Sequence, residues 1–351
     1  MRIHDRISPP AEPPQAAALR GEPPGDAAAS PIYLRLSVTT ACNLACRYCR
    51  PVAECAGTDE ESRPAPSSRS QLNDDELLDL VGRIHDVAPI RKLRFTGGEP
   101  LLRPGLTALV TRFGRSFPGS KLCLTTNGTL LSEHARPLRA AGIEAVNISL
   151  DAATEERFQA LARHSGLQKV LAGIAAAREA GFARLKLNTV LMRSHNGDQL
   201  THLIRIAAHH SLEIRFVELM PIGVGAASFA NEYLPADEAL ATIHRTFPSL
   251  RPIAPTATAP RRFEVDVDGR ALTIGFITSV SQHFCHGCDR IRLDSRGRLF
   301  TCLRAAGGLD LYELVRSNDP GALRTALSTA LRNKQPPQAG WPRRSMVNVG
   351  G

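Results

Sequence analysis

Six short apolar segments alternate with helical patterns between residues 34 and 218, and this alternation constrains the fold more than any other feature. The apolar segments are typical of strands and lie near residues 34–38, 92–96, 121–125, 145–149, 185–190 and 214–218. A helical pattern such as Asp74–Val87 places Leu77, Val81 and Ile84 on one face, behind a cap at Asn73. Because crossovers between parallel strands are almost always right-handed, six such units predict an α/β fold whose parallel sheet forms an open, partial barrel.

The alternation fades after Pro221, where a distinct C-terminal region is predicted. This region contains a helix near residues 237–246, a Pro/Ala-rich connector at 252–260 and two antiparallel strands at 263–267 and 271–277. A partial barrel has an open side, and we expect this region to close it.

Three regions are therefore expected. Residues 1–30 are rich in Pro and Ala and predict a disordered leader. Residues 31–222 would form a (βα)6 barrel of the partial type, and residues 223–351 the C-terminal region with a flexible tail. Residues 56–70 predict a second mobile stretch.

The charge of the chain suggests an anionic partner. The net charge is +9 at pH 7, but no long basic block is present and aromatic residues make up only 5%. A stacking surface for nucleic acid is therefore poorly supported, and a compact polyanion such as a triphosphate fits better. No apolar stretch is long enough to cross a bilayer. Six of the eight cysteines form two tight groups, which favours metal ligation in a reducing compartment, the cytoplasm, over disulfides.

The first cysteine group directly follows the first predicted strand and consists of Cys42, Cys46 and Cys49. Three thiolates leave one iron of a four-iron cluster without a protein ligand, so that iron can bind the amino and carboxylate groups of S-adenosylmethionine. The alternatives are a zinc site or buried cysteines, although no fourth Cys or His lies close enough in sequence to complete a closed zinc site. The spacing predicts an open 4Fe-4S cluster.

The loop Thr96-Gly97-Gly98-Glu99-Pro100 follows the second predicted strand. Glycines let the backbone approach a ligand closely, and exposed backbone groups can bind an ammonium and carboxylate pair. A Gly-Gly turn alone is weak evidence, but behind the cysteine triad it predicts a site for the methionine end of S-adenosylmethionine.

The second cysteine group consists of Cys285, Cys288 and Cys302. A zinc site completed by His283 or His286 is a serious alternative. Because the first triad already predicts one open cluster, we interpret this group as a second cluster whose free iron contacts the substrate.

Two arginines, Arg290 and Arg292, alternate just past the second cysteine pair. On a strand they would point to one face, and the planar guanidinium group suits phosphate oxygens. A solvated basic face is the alternative.

The chain resembles one known family, the molybdenum cofactor biosynthesis protein A family of radical S-adenosylmethionine GTP 3′,8-cyclases. The resemblance is carried by LRLSVTTACNLACRYC, RKLRFTGGEPLLR, HFCHGCDRIRLDSRGRLFTCL and the terminal Gly350-Gly351, and it extends from about residue 34 to the C-terminus. It implies a lyase that converts GTP to (8S)-3′,8-cyclo-7,8-dihydroguanosine 5′-triphosphate in the first step of molybdopterin biosynthesis.

The resemblance also implies a set of site residues. The two triads would hold two 4Fe-4S clusters. Contacts to S-adenosylmethionine would come from Tyr48, Gly98, Ser149, Met220 and Arg215. Contacts to GTP would come from Arg35, Lys92, Arg94, Thr125, Lys186, Arg290 and Arg292. Catalytic roles would fall on Arg35, Arg290, Arg292, Gly350 and Gly351, with the Gly-Gly tail reaching into the active site.

In the chemistry that the resemblance implies, an electron from the first cluster cleaves S-adenosylmethionine, and the resulting 5′-deoxyadenosyl radical takes the hydrogen from C3′ of GTP. The C3′ radical then attacks C8 of the guanine, and a reduction completes the product. The implied partners are an electron donor such as flavodoxin or ferredoxin and the next enzyme, cyclic pyranopterin monophosphate synthase. A homodimer is a further expectation, and neither nucleic acid nor a membrane is expected as a partner.

The sequence departs from the family pattern beside the first triad. Ala41 stands where Arg is common, Arg50 stands where Met is usual, and Cys55 is additional. These changes flank the cluster ligands without replacing them.

Two other functions fit parts of this pattern. One is a different radical S-adenosylmethionine enzyme with an auxiliary cluster, such as a peptide maturase, although those usually carry more C-terminal cysteines. The other is a zinc-stabilised nucleic-acid-binding protein, which the positive charge favours.

Overall fold

One sheet runs through the part of the chain that the computed structural model describes, namely residues 31–50, 71–254, 261–282, 288–305, 307–316, 319–332, 334, 340–342 and 346. Its strands are β1 (Ile32–Ser37), β2 (Ile90–Thr96), β3 (Lys121–Thr126), β4 (Ala145–Ser149), β5 (Arg184–Leu191), β6 (Glu213–Glu218), β7 (Arg251–Pro252), β8 (Arg261–Val267), β9 (Arg270–Ile277), β10 (Arg290–Leu293), β11 (Arg298–Phe300) and β12 (Leu309–Asp310). They are hydrogen-bonded in the order β12-β11-β10-β1-β2-β3-β4-β5-β6-β9-β8-β7.

Helices connect the first six strands. They are α1 (Asp74–Val87), α2 (Leu106–Ser116), α3 (Leu131–Ala140), α4 (Glu155–Ala162), α5 (Leu167–Glu179), α6 (Arg193–Asn196) and α7 (Leu200–His209). Beyond β6 follow α8 (Gly225–Glu232), α9 (Ala236–Thr246), α10 (Leu311–Arg316) and α11 (Pro320–Arg332). All six predicted strands are confirmed to within two residues, and neighbouring strands among them pair in parallel.

The predicted start of α1 is also confirmed. The Asn73 side chain accepts a hydrogen bond from Glu76 N at 3.0 Å, and Asn73 N donates to the Glu76 carboxylate at 2.8 Å. This reciprocal capping box satisfies two backbone donors that would otherwise lack partners. It defines where the crossover from β1 to β2 begins.

The C-terminal strands extend both edges of the barrel sheet. The predicted antiparallel pair is present as β8 and β9, and β9 pairs in parallel with β6. At the other edge, β10 pairs in parallel with β1. Eight parallel strands therefore run from β10 through β1–β6 to β9, and this curved sheet is the partial barrel that the sequence predicts.

The two faces of this sheet differ in chemistry. Residues such as Leu34, Phe95, Leu124, Ile148 and Phe216 are fully buried on the face that packs against the helices. Each contributes roughly 1.5–3 kcal/mol of hydrophobic stabilisation. Most of the alternate residues, on the inner face, are polar or charged, whereas a closed barrel usually fills its interior with branched apolar side chains. The inner face is therefore built to contact a polar ligand.

A buried carboxylate joins the barrel to the C-terminal region. Glu218, at the end of β6, is 1% exposed and accepts hydrogen bonds from Ala236 N at 3.1 Å and from Val280 N and Ser281 N at 2.9 Å. Ser281 Oγ donates to the same carboxylate at 2.6 Å. Glu218 therefore holds the segment that leads from β9 toward the second cysteine group. None of the helices in the described ranges is long and apolar enough to span a membrane.

Candidate active site

The first cysteine triad lies in a loop that is fastened to the end of α4. Ala45 N donates to Ala162 O and Arg47 N donates to Leu161 O, both at 3.0 Å. Cys49 N donates to Cys46 O at 2.9 Å and closes a turn within the triad. The loop thus holds Cys42, Cys46 and Cys49 together at the carboxyl end of β1.

The thiols of this loop fit the ligand set of an open cluster. All three cysteines are partly buried and unpaired by disulfides. Burial raises the pKa of Cys46 well above its ordinary value, and Asp151, Cys49 and Cys42 raise it further. The three thiols therefore lie within electrostatic reach of one another, and bound iron would stabilise their anions. Within the described ranges no three His, Cys, Asp or Glu side chains converge as ligands of a single ion, whereas cluster thiolates each bind a different iron.

The glycine loop packs directly on the triad loop. Gly98 N donates to Thr39 O at 2.8 Å and Glu99 N donates to Ala41 O at 2.7 Å. A Cβ on Gly98 would lie 2.2 Å from Ala41 O. The sequence predicts that the glycines allow close approach by a ligand, but in the structure Gly98 is first required by the backbone of Thr40 and Ala41.

Glu99 fastens the glycine loop to the end of β3. Its fully buried carboxylate accepts hydrogen bonds from Leu101 N at 3.1 Å, Thr126 Oγ1 at 2.7 Å and Asn127 N at 2.7 Å. Burial raises the pKa of Glu99 to about 7, although these three hydrogen bonds favour the charged form. Asn127 in turn donates to Asn43 Oδ1 at 2.8 Å, which links the end of β3 to the triad loop.

Two predicted S-adenosylmethionine contacts, Tyr48 and Met220, lie near each other. A Cβ on Gly225 would lie 3.0 Å from Met220 O and 3.2 Å from Tyr48 O. The Tyr48 hydroxyl donates to Asp151 Oδ2 at 2.7 Å, and Asp151 Oδ1 accepts from Val190 N at 2.8 Å. Burial raises the pKa of Asp151 to about 6. Asp151 was not selected from the sequence, although it follows Ser149 by two residues at the same strand end.

Two further predicted contacts to S-adenosylmethionine, Ser149 on β4 and Arg215 on β6, lie on strands. In the register of the sheet they lie on either side of Asn188 of β5. The sequence analysis also missed Asn188. Its Oδ1 is buried without a hydrogen-bond partner in the described part of the chain, so it is an acceptor available to a ligand. Its position two residues after Lys186, on the same face, is the signal that could have identified it.

A row of cations crosses the inner face. Paired registers bring Arg35 beside both Arg94 and Arg292, and Tyr33 beside both Lys92 and Arg290. The inner-face cations from β10 to β6 include Arg290, Arg292, Arg35, Lys92, Arg94, Lys186 and Arg215. This set contains every cation that the resemblance assigns to GTP binding, and it also contains Arg215.

Burial and mutual repulsion act strongly on this row. Burial lowers the pKa of Arg35 to about 10, and Arg94 and Arg290 lower it further against the opposing effect of Tyr33. The pKa of Arg292 lies well below its usual range. Burial has the largest effect in lowering it, and the charge of Arg35 has the next largest. Half-buried like charges are costly unless an anion compensates them, so the row is suited to a polyphosphate.

Arg94 is held by its neighbours on both sides. Its Nε donates to the Tyr33 hydroxyl at 2.6 Å and its Nη1 donates to Thr125 Oγ1 at 3.2 Å. Lys92 Nζ lies 4.7 Å from the centroid of the Tyr33 ring. The structure therefore brings together three predicted GTP contacts, Lys92, Arg94 and Thr125, around a tyrosine that the sequence analysis did not select.

Lys186 and Arg215 share one carboxylate. Glu213 accepts a hydrogen bond from Lys186 Nζ at 2.5 Å and another from Arg215 Nε at 2.6 Å. Burial would raise the pKa of Glu213, but Arg215 and Lys186 outweigh it and lower the pKa. Glu213 was not selected from the sequence, although it lies two residues before Arg215 on the same face.

Of the second triad, Cys288 lies two residues before β10, which contains Arg290 and Arg292, and Cys302 lies two residues after β11. Cys288 and Cys302 are partly buried free thiols, and Arg304 N donates to Cys302 Sγ at 3.4 Å. Lys334 Nζ lies 3.6 Å from Cys288 Sγ and also donates to Arg290 O. Lys334 follows α11 and was not selected from the sequence.

Several predicted positions lie outside the described residues. They are Cys285, His283, His286, Cys55, Gly350, Gly351, the leader over 1–30 and the stretch over 56–70. The zinc alternative for the second triad depends on two of these positions.

The residues beside the first triad that depart from the family pattern have local contacts. Arg50 Nη1 donates to Cys42 O at 3.2 Å, and Ala41 is exposed while its carbonyl accepts from Glu99 N. Arg50, Arg47 and Arg163 also line a cleft of about 600 Å³ between the triad loop and α8. None of the predicted S-adenosylmethionine or GTP contacts lines this cleft, so its cations lie outside the inner-face row.

Comparison with known families assigns both halves of the chain. Residues 36–207 match the model of the radical SAM superfamily, and residues 212–339 match the model described as Molybdenum Cofactor Synthesis C. Among curated proteins, GTP 3′,8-cyclase 1 of Pseudomonas aeruginosa is 40% identical over 305 residues, which cover 86% of this chain and 89% of that protein. The GTP 3′,8-cyclase of Pelotomaculum thermopropionicum is 36% identical over 326 residues, which cover 91% and 97%.

A solved structure shares the fold. The crystal structure of SuiB from Streptococcus suis bound to S-adenosylmethionine aligns with a TM-score of 0.53 at 11% identity. The alignment covers 81% of this chain but only 62% of the SuiB chain. At this identity the likeness shows the fold alone, which is that of the partial barrel.

Proposed function

The chain belongs to the radical S-adenosylmethionine GTP 3′,8-cyclase family, and we propose that its inner-face cations and two cysteine triads carry out that family's reaction at one site inside the barrel. The chain is accordingly an enzyme of molybdenum cofactor biosynthesis that uses GTP, S-adenosylmethionine and two 4Fe-4S clusters. The family match sets aside the peptide maturase and the zinc-stabilised nucleic-acid-binding protein.

The observation that carries the residue assignment is the cation row between the two triads. Arg35, Arg94 and Lys186 would bind the triphosphate, because burial among like charges favours a bound polyanion. The guanine would then lie toward β10, where Cys285, Cys288 and Cys302 would hold the second cluster.

The S-adenosylmethionine side would be formed by the ends of β4, β5 and β6. Ser149 and Arg215 are the expected polar contacts there, with Tyr48 and Met220 beside the first triad. When bound, the first cluster and S-adenosylmethionine supply the radical that takes a hydrogen atom from the GTP ribose. The task of the protein residues is to fix the ribose beside that centre and to exclude other hydrogen donors.

Arg35, Arg290 and Arg292 would act at the junction of the two ligands, since β1 and β10 are adjacent. Their half-buried guanidinium groups would help to exclude water from the substrate. We also propose the division into a barrel over 31–222 and a C-terminal region over 223–351, with the leader over 1–30 outside the site.

A one-electron carrier such as flavodoxin or ferredoxin would reduce the first cluster. The cations Arg47 and Arg50 on the triad loop support an anionic carrier, since they line the cleft between that loop and α8. The product would pass to cyclic pyranopterin monophosphate synthase, and the enzyme would act in the cytoplasm as a homodimer.

The assignment of the reaction is tested by anaerobic incubation of the reconstituted enzyme with S-adenosylmethionine, a reductant and GTP. We expect 5′-deoxyadenosine to form only when GTP is present, together with a cyclised nucleotide. Turnover with another substrate, and none with GTP, would overturn the assignment.

The proposed role of the terminal glycines is tested by removing Gly350 and Gly351. We expect the shortened enzyme to keep its iron and sulfide but to lose cyclisation. Full cyclase activity in the shortened enzyme would refute the role of the tail.

A further inference from the structure

Glu213 is a carboxylate on a face that otherwise carries cations. It begins β6, and in the register of the sheet it lies opposite Lys186 of β5. The side chains of Lys186, Glu213 and Arg215 are 18–20% exposed, so all three lie largely out of solvent. A carboxylate in this place is unexpected if the face serves only to attract phosphate.

The geometry makes Glu213 a bridge. Its Oε2 accepts from Lys186 at 2.5 Å and its Oε1 accepts from Arg215 at 2.6 Å, so each oxygen holds a different cation. Lys186 and Arg215 are close enough for Arg215 to lower the pKa of Lys186, after the larger effect of burial. Without the carboxylate, the two cations would repel each other across neighbouring strands.

The two cations belong to different ligands in the proposed function. Lys186 is the proposed contact to GTP, and Arg215 is the proposed contact to S-adenosylmethionine. Hydrogen transfer requires the two ligands to be placed relative to each other within a few tenths of an ångström. A single side chain that fixes both cations is therefore well placed to control that distance.

We propose that Glu213 is a positioning residue that holds Lys186 and Arg215 in fixed relation, and thereby aligns GTP with S-adenosylmethionine. This inference rests on the proposed function. Glu213 makes no contact with the reacting atoms in this scheme and acts only through its two partners.

The test replaces Glu213 by Gln, which keeps the size of the side chain but removes its charge. The matched control is Glu144→Gln, an exposed glutamate at the amino end of the barrel sheet just before β4. GTP affinity is measured by anaerobic equilibrium dialysis without turnover, and the yield of 5′-deoxyadenosine per cyclised nucleotide is measured with turnover.

We expect Glu213→Gln to weaken GTP binding about tenfold, which corresponds to about 1.4 kcal/mol. We also expect it to release several-fold more 5′-deoxyadenosine per product, because a misaligned ribose donates its hydrogen less often. Iron content and the far-ultraviolet circular dichroism spectrum should match those of the control. GTP binding equal to or tighter than wild type would overturn the proposal, because the carboxylate would then merely compete with phosphate.

Glu213→Asp separates positioning from charge. The aspartate side chain is shorter by one methylene, so it keeps the charge but cannot reach both partners. We therefore expect the GTP affinity of Glu213→Asp to be reduced to within threefold of that of Glu213→Gln. Wild-type affinity and coupling in Glu213→Asp would also overturn the proposal. If the wild-type enzyme forms no cyclised nucleotide from GTP, the proposed function fails; if it does and Glu213→Gln behaves like the control, only the role of Glu213 fails.

Discussion

At the scale of single residues, buried carboxylates hold the loops of the site together. Glu99 joins the glycine loop to β3, Asp151 joins Tyr48 to β5, and Glu218 joins β6 to the C-terminal region. Each accepts hydrogen bonds from groups distant in sequence. Their burial also shifts the pKa values of Glu99 and Asp151 toward neutrality.

The carboxyl of Glu99 makes stability depend on pH. Its pKa is about 7 in the folded protein against an ordinary value of 4.5, so the folded state binds the proton more tightly. The stabilisation by the protonated form is fully present below about pH 4.5 and is lost as pH rises through about 7, an effect of about 3 kcal/mol.

We therefore expect the free energy of unfolding of Glu99→Gln to fall less between pH 5 and pH 8 than that of wild type. The measurement is anaerobic denaturant unfolding across this range. Parallel pH profiles for the two proteins would contradict the prediction, even if Glu99→Gln is less stable throughout.

Lys334 is expected to tune the second cluster. Its ammonium group lies 3.6 Å from Cys288 Sγ, and a cation beside a cluster ligand favours the reduced cluster, which carries more negative charge. Lys334→Met should lower the reduction potential of that cluster by on the order of 50 mV, since an interaction of about 1 kcal/mol changes a one-electron potential by that amount.

The measurement is a redox titration followed by electron paramagnetic resonance. Lys334→Arg serves as the control, because it keeps the positive charge. An unchanged potential in Lys334→Met, with the cluster intact, would show that the lysine plays no part in tuning.

At the scale of elements, two loop contacts decide whether the triads are formed. The glycine loop and the first-triad loop are in backbone contact, and a Cβ on Gly98 would lie 2.2 Å from Ala41 O. Such an overlap can be relieved only by separating the two backbones.

Gly98→Ala should therefore lose the first cluster and keep the second. The spectroscopic signals of the two clusters, together with iron content, are the measurement. Gly119→Ala is the matched control, because a Cβ on Gly119 would have no heavy atom within 4 Å. Equal first-cluster occupancy in Gly98→Ala and Gly119→Ala would refute the role given to this contact.

The connection from β6 to the second triad depends on Glu218. Glu218→Ala would remove the acceptor of the buried backbone N–H of Ala236 and of the partly buried N–H groups of Val280 and Ser281. Because a buried unsatisfied donor costs about 1–3 kcal/mol, we expect a loss of about 1–3 kcal/mol in stability and a loss of second-cluster iron. Thermal unfolding and iron analysis measure both.

The exposed Glu264 on β8 provides the comparison for this change. Glu264→Ala should change stability by no more than about 0.5 kcal/mol. A similar Tm for Glu218→Ala and Glu264→Ala would contradict the structural role of Glu218.

At the scale of the whole molecule, the net charge of +9 is partly concentrated inside the barrel. The inner-face cations lie inside the barrel, and helices cover the outer face of the sheet. Because these like charges are close together, their repulsion opposes folding until an anion is bound. Folding and substrate binding are therefore coupled through this charge.

Inorganic triphosphate should stabilise the protein without any nucleoside. At 100 times its Kd, a ligand that binds only the folded state adds about 2.7 kcal/mol, and the resulting rise in Tm should shrink with added salt. Thermal unfolding with and without triphosphate is the measurement. A Tm that is unaffected by triphosphate, at low salt, would mean that the row is not a polyphosphate site.

The predictable part of the fold follows from local periodicity. Each of the six barrel strands was identified from five or six consecutive residues, and the Asn73 cap from the residues beside it, because these signals depend on neighbours in sequence. The identity of the inner face was also readable, since Arg35, Arg94 and Lys186 alternate with apolar residues within their own strands. The placement of β9 and β10 at opposite edges of the barrel sheet could not be predicted, because edge pairing joins segments that are far apart in sequence.

The sequence by itself determined the chemistry: two cysteine triads, a glycine loop and, through the family resemblance, a set of cations in or at the ends of the strands. These features depend on residue type and spacing, which local sequence carries completely. Only the tertiary structure decided which partners these residues meet, as with Glu213 between Lys186 and Arg215, or Lys334 beside Cys288. The physical reason is that hydrogen bonds and charge act over a few ångströms in space, while the residues they join here lie from 2 to more than 40 positions apart in sequence.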